Sequence, residues 1–278
     1  MREDKIGLAL GGGGARGLAH IGVLKVLVRE SIPIHIVAGT SMGGVIGALF
    51  AAGIPMSEIE VVALSLRKLP QIVKLVDLRL IGRGFIKGAR IYRYLASALG
   101  EDLTFADLKI PLALVAVDLE TGCEVTLWQG KVVDAVRATL SVPGVFEPVR
   151  RDEMLLTDGG ILNNVPVDTV RKMGARKVIA VDVLPDFHPN IPGKPPLIHP
   201  LRTPLVNQPL QDMSHAIMIM ISEITREKLI KNRPDVIIRP PLPREVHLFT
   251  GFERAPEIIA AGEAITEEML PQIKRILG

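Results

Sequence analysis

The sequence predicts an α/β fold built on a parallel sheet. Two observations carry this. Short apolar runs of strand length alternate with segments whose apolar residues recur every three or four positions, and the first such runs end in glycine-rich turns. The 278 residues leave room for one large domain or two small ones, and for a sizeable core.

The elements follow in order. Residues 6–10, Ile-Gly-Leu-Ala-Leu, stop at four glycines, the pattern of a buried strand and a turn. Across 15–30, Leu18, Ile21, Leu24 and Leu27 recur at helical spacing. Residues 35–38 read as a second buried strand and 42–52 as a helix of small residues closed by Gly53. Strand, helix, strand, helix implies parallel pairing. Residues 57–68 read as a helix with Ser57 as its N-cap. Within the ambiguous stretch 70–90, Ile72, Val73, Leu75 and Val76 around Lys74 fit either a core helix or a lid against a lipid surface. Strands follow at 112–119 and 124–128, a helix at 132–140 before Pro143, and a strand at 154–157 that runs into Asp158-Gly159-Gly160. A helix at 165–173 and a strand at 178–183 come next. Residues 185–210 are proline-rich and read as a long loop or lid. A helix at 211–231, a strand at 236–239 and a helix at 256–277 close the chain. In the first of these, Met213, Ile217, Met218, Met220 and Ile221 read as a buried packing face, with an acyl pocket as the alternative.

Composition excludes several classes. Aromatic residues are 4% of the chain, too few for stacking bases. The net charge of +3 is spread without a basic run, so no nucleic-acid partner is expected. Such a mildly cationic surface still permits transient contact with an anionic membrane surface. One cysteine, Cys123, forbids an internal disulfide and fits a reducing, cytoplasmic setting. With no histidine beside it, Cys123 is expected to pack rather than react. Six scattered histidines make no metal-ligand spacing, so neither a metal nor a cofactor is expected. The N-terminus carries charges of both signs and lacks the pattern of a signal peptide. Residues 31–57 contain no Asp, Glu, Lys or Arg, yet two prolines and five glycines fit a buried strand, turn and helix better than a membrane span.

Three places carry chemistry. Gly39-Thr40-Ser41-Met42-Gly43 follows a strand and opens a helix, the context in which G-x-S-x-G presents a nucleophilic serine. The glycines Gly39 and Gly43 let flanking backbone pack close. Gly11-Gly12-Gly13-Gly14-Ala15-Arg16-Gly17 sits between the first strand and helix, where backbone N–H groups converge on an anion. Gly12-x-Gly14-x-x-Gly17 also fits a dinucleotide fingerprint, which would make the chain a non-catalytic nucleotide-binding or regulatory module. That reading wants a carboxylate at the end of the second strand, and Thr40-Ser41 stands there instead. The favoured reading is an oxyanion hole from Gly12, Gly13 and Gly14, with Arg16 adding positive charge. A serine needs a base. His188, His199, His215 and His247 lie downstream but none ends a clean strand, and His20 and His35 read as core or helix-face residues. Asp158, between a buried strand and two glycines, can reach the same sheet edge as Ser41, or can merely cap its own turn.

Together these segments resemble the patatin-like phospholipase family. The loop 11–17, the turn 39–43, and Asp158-Gly159-Gly160 followed by Asn163-Asn164-Val165-Pro166 occur in the family's order, and Ser141-Val142-Pro143-Gly144-Val145-Phe146-Glu147-Pro148 looks like the family's segment before the aspartate. The resemblance spans residues 5–185 and is most like the short bacterial members. It implies a three-layer α/β/α fold with a mostly parallel central sheet. It also implies a Ser–Asp dyad, Ser41 as nucleophile and Asp158 as general base, supported by Gly159 and Gly160, that hydrolyses fatty-acyl esters of lysophospholipids, phospholipids or related lipids. Residues 186–278 match nothing in the family pattern and are expected to pack on the same domain.

Overall fold

A computed structural model describes residues 4–65, 88–185, 208–243, 245–246 and 250–277. β1 (Ile6–Leu10), a 3₁₀ turn (Gly14–Leu18), α1 (Ala19–Arg29), β2 (Ile36–Thr40), α2 (Ser41–Ala51), α3 (Met56–Ser65) and α4 (Ala89–Leu99) come first. Next are β3 (Leu112–Asp118), β4 (Cys123–Leu127), α5 (Val132–Thr139), β5 (Val149–Arg151), β6 (Met154–Asp158), α6 (Val167–Lys172) and β7 (Lys177–Val181). α7 (Gln208–Asn232), β8 (Val236–Ile238) and α8 (Ala255–Arg275) complete the chain. The proline-rich stretch 186–207 and the lid reading at 69–81 lie outside the described residues.

The sheet has the order β5-β6-β3-β2-β1-β7-β8, with β4 also paired to β3. β3-β2-β1-β7-β8 are parallel, and β4, β6 and β5 join antiparallel. β3 sets the site. Along one edge β4 pairs with Leu114 through Asp118. The other edge is shared: β2 pairs with residues 112–115 and β6 with residues 116–118. Two segments distant in sequence therefore end beside each other.

Strand side chains alternate between two cores. Leu8, Leu10, Val37, Leu114 and Ile179 face the larger one, with α1, α2, α5 and α8. Ala9, Ala38, Ala113 and Ala180 face the smaller one, with Val167 and Val170 of α6 and Leu229 of α7. Small residues on that face let α6 approach closely. A Cβ on Gly7 would lie 2.6 Å from that of Ala175 and 2.9 Å from that of Val170. On the opposite face Gly22 of α1 and Gly262 of α8 let those helices meet backbone to backbone, and β8 extends the sheet from β7.

Several expectations are corrected. α3 begins at Met56, not after a Ser57 cap. The carbonyl of Pro55 accepts the N–H groups of Glu58 (2.9 Å) and Ile59 (3.0 Å), so the turn is already closed before Ser57. The first long helix is split, because the glycine turn leads into a 3₁₀ segment before α1 begins. α4 and the three-residue β5 have no counterpart in the sequence pattern; β5 reads Val-Arg-Arg and is held by pairing to β6. Cys123 is exposed on β4 rather than packed. Met213, Ile217 and Met220 of α7 are exposed, so they form neither a packing face nor a closed pocket. The uncharged stretch 31–57 is β2, α2 and the start of α3, and among the described residues no helix is long and apolar enough to cross a membrane.

Candidate active site

β2 enters the site at Thr40 in an extended conformation, and Ser41 opens α2 with φ 53°, in the left-handed region. A non-glycine residue is strained there, which is the signature of a turn held by its surroundings. The brace is Thr139 at the end of α5. Its Oγ1 accepts the Ser41 N–H at 2.9 Å and donates to the Val115 carbonyl at 2.5 Å. Gly39 and Gly43 are required by close approach. A Cβ on Gly39 would lie 2.6 Å from the Gly43 carbonyl oxygen, and one on Gly43 would lie 2.5 Å from that of Gly11. The α2 N-terminus at Ser41 favours negative charge developing there.

Asp158 ends β6 and is buried beside Ser41, whose side chain favours the ionised carboxyl. Its Oδ1 also accepts the Gly160 N–H at 2.8 Å. Burial pushes its pKa up from 3.8 to about 6, against the lowering effect of the Ser41 side chain and the Gly160 N–H. The carbonyl of Ser141 accepts both the Asp158 N–H (3.0 Å) and the Thr157 hydroxyl (2.6 Å). Buried Arg137 in turn donates to Ser141 Oγ at 2.6 Å and to the Glu147 carbonyl at 2.9 Å. The segment 141–148 thus holds the aspartate in place.

The glycine loop is lashed to the aspartate loop. Gly12 N–H donates to the Asn164 carbonyl at 3.2 Å, and Asn164 Nδ2 donates to the Gly12 carbonyl at 3.1 Å. The Thr40 hydroxyl donates to the Asn163 carbonyl at 2.9 Å. A Cβ on Gly12 would lie 3.0 Å from that of Ser41, so the loop passes directly over the serine.

Two of the expected oxyanion donors point elsewhere. Gly12's N–H is held by Asn164. Arg16 is buried, with Nε on the Val183 carbonyl (2.5 Å) and Nη1 on the Val246 carbonyl (3.1 Å). Burial lowers its pKa to about 10, with Asp182 acting in the opposite sense. Arg16 is therefore a brace between the loop and two distant strands of chain. The N–H groups of Gly13 and Gly14 have no acceptor among the described residues.

His20 is buried and its Nε2 lies 2.7 Å from the Gly11 carbonyl, to which it donates; burial drives its pKa to about 4, so it stays neutral. His35 Nδ1 accepts the Ile6 N–H at 3.0 Å, on the first residue of β1 and away from Ser41. His188, His199 and His247 fall outside the described residues. Among the described residues no group of three or more His, Cys, Asp or Glu side chains converges.

A family model for patatin-like phospholipases matches residues 8–171, more than half of the chain. The chain belongs to that family. All the groups just described as meeting at Ser41 lie within the matched span. A patatin-like phospholipase domain-containing protein of Caenorhabditis elegans is 40% identical over 189 residues, covering 66% of this chain and 14% of that protein. Neuropathy target esterase sws of Drosophila melanogaster is 34% identical over 187 residues, covering 66% of this chain and 13% of that protein. The chain thus spans only a small part of the length of these relatives. Among solved structures, VipD from Legionella pneumophila shares the fold. The TM-score is 0.54 at 14% identity, over 97% of this chain and 67% of VipD. The three-layer α/β/α architecture with a mostly parallel sheet is accordingly that of patatin-like proteins.

Thr139, Asn164 and Arg137 are the positioning residues that motif reading missed. Thr139 and Asn164 act through hydrogen bonds to backbone groups far away in sequence, and Arg137 through bonds that hold the segment 141–148. Only the Asn-Asn pair after Asp158 carried a signal, as part of the family pattern.

Proposed function

We propose that this chain is a serine acyl hydrolase that cleaves fatty-acyl esters of lysophospholipids, phospholipids or related lipids through a Ser–Asp dyad. The observation that carries the proposal is the placement of a left-handed Ser41, the first residue of α2, beside a buried Asp158 at the junction of β2 and β6. The names of the relatives, a phospholipase domain and an esterase, support the same reaction class.

In this reading Ser41 Oγ attacks the acyl carbonyl carbon while Asp158 takes the hydroxyl proton. The carbonyl oxygen becomes an oxyanion held by the N–H groups of Gly13 and Gly14 and by the α2 N-terminus. The C–O bond to the alcohol then breaks, and Asp158 returns its proton to that leaving oxygen. Water, deprotonated by Asp158, attacks the acyl-serine. Collapse of the second oxyanion breaks the acyl–Oγ bond, Asp158 returns its proton to Ser41 Oγ, and the fatty acid leaves. A raised carboxyl pKa suits this role, since a base of pKa about 6 accepts a proton more readily than an ordinary aspartate.

Covalent labelling by a fluorophosphonate, read by intact mass, tests the proposal. Wild type should gain one adduct on Ser41 and Ser41→Ala none. Absence of labelling, together with no hydrolysis of p-nitrophenyl esters, would reject it.

A further inference from the structure

The long helix α7 is two different helices in character. Its second half is charged and docked. Lys228 pairs with Glu124 at 2.9 Å, Leu229 packs in the smaller core, and Arg171 Nε donates to the Asn232 carbonyl at 3.3 Å. Its first half carries no Asp, Glu, Lys or Arg from Met213 to Ser222. There Met213, Ile217 and Met220, spaced i, i+4, i+7, form one stripe with exposures of 54%, 40% and 61%, and Ile219, about 100° round the helix from Met220, is 44% exposed.

The stripe overhangs the active-site edge of the sheet. α7 precedes β8, whose neighbour β7 is parallel to it, and the helix ends near the start of these strands, where the Asp235 N–H donates to the Val178 carbonyl. Further up, Ser222 Oγ donates to the Pro185 carbonyl at 3.2 Å. Pro185 lies two residues past Val183, whose Cγ2 would be 2.6 Å from a Cβ on Gly13 of the glycine loop. Ser222 is thus level with the loop over Ser41. At about 1.5 Å per residue, Met213 stands roughly 13 Å beyond it.

We infer that this overhanging stripe docks the protein on the surface of a lipid bilayer. The inference rests on the proposed acyl hydrolysis, because the substrate of that reaction lies in such a surface. A second copy of the chain is the poorer occupant. The four side chains expose on the order of 400 Å², about half of the roughly 800 Å² per partner of a standard protein interface. An uncharged apolar overhang at a hydrolase rim fits instead the boundary between lipid headgroups and acyl chains.

The test is co-sedimentation with phosphatidylcholine vesicles, run beside hydrolysis of a soluble p-nitrophenyl butyrate. Ile217→Glu/Met220→Glu should lower vesicle binding at least tenfold, with unchanged melting and soluble-ester turnover. Trp128→Ala removes another exposed apolar side chain (62% exposed), next to Leu127, which pairs with Leu114 toward the other end of β3; it should bind like wild type. Binding by wild type should persist at high salt, since the stripe is uncharged. The inference is overturned if wild type does not bind, if the double variant binds equally, or if wild type is a dimer that the double variant splits. A chain that binds vesicles through α7 but never hydrolyses the soluble ester would reject the proposed reaction and leave the docking surface standing.

Discussion

Thr40 and Asp158 face consecutive residues of one strand: Thr40 is paired with Val115 and Asp158 with Ala116. β2 and β6 run in opposite directions along the same edge of β3, so both end at this junction. The residue after Thr40 is Ser41, and its side chain meets the Asp158 carboxyl there. The contact is a product of strand register.

Activity should follow the ionisation of Asp158. A base must be deprotonated, so kcat/KM should fall about tenfold per pH unit below about pH 6 and level off above it. Asp158→Asn should lose several orders of magnitude in kcat and with it the acidic limb. His20→Gln should keep the profile, since His20 is neutral and turned to the Gly11 carbonyl. Rate profiles for the three proteins check this; a limb that moves with His20 and not with Asp158 contradicts it.

The same substitution should stabilise the protein. The Asp158 pKa is raised on folding, from 3.8 to about 6, so the folded state binds the proton more tightly. Below about pH 4 both states are protonated and the carboxyl is neutral in its effect. As pH rises through 6 the buried ionised form lowers stability, by on the order of 3 kcal/mol. Asp158→Asn should therefore melt higher than wild type at pH 8, with the gap closing toward pH 4. Equal melting at pH 8 would show that the carboxylate is compensated in the fold.

Thr139→Val keeps the side-chain shape and removes the brace under Ser41. It strands the Ser41 N–H and one bond to the Val115 carbonyl, both buried. Stability should drop by about 1–3 kcal/mol. kcat should fall about tenfold with KM nearly constant, because the serine remains but its turn loosens. Thr139→Ser should restore most of both, and steady-state kinetics with thermal melts decide it.

Arg16→Ala should be a stability variant more than a rate variant. It leaves the Val183 and Val246 carbonyls without their donors, at about 1–3 kcal/mol each. The folded fraction should keep kcat within about tenfold of wild type, whereas loss of an oxyanion donor would cost about 100-fold or more. Active-site titration with a fluorophosphonate, which counts folded sites, separates the two.

Much of this molecule was legible from local spacing. The stripe Leu18, Ile21, Leu24 and Leu27 is buried as its helical period required. The turn Gly39 to Gly43 is a strand-to-helix elbow because glycine alone tolerates backbone at 2.5–2.6 Å from its Cβ position. Periodicity and steric permission are properties of a few adjacent residues, and so they can be read from the chain alone. Tertiary structure decided the rest. Gly12 and Arg16 looked like anion donors, yet both give hydrogen bonds to carbonyls of segments far along the chain. Thr139 has no motif, since its importance lies wholly in the Ser41 N–H and the Val115 carbonyl on either side of it. Residues 213–222 of α7 have the apolar content of a buried helix, but the 25 residues of α7 are about 37 Å long, against about 17 Å for a five-residue strand. A helix longer than the sheet it packs on must overhang it. Which half overhangs is set by where Ser222 and Leu229 dock, and no local period records that.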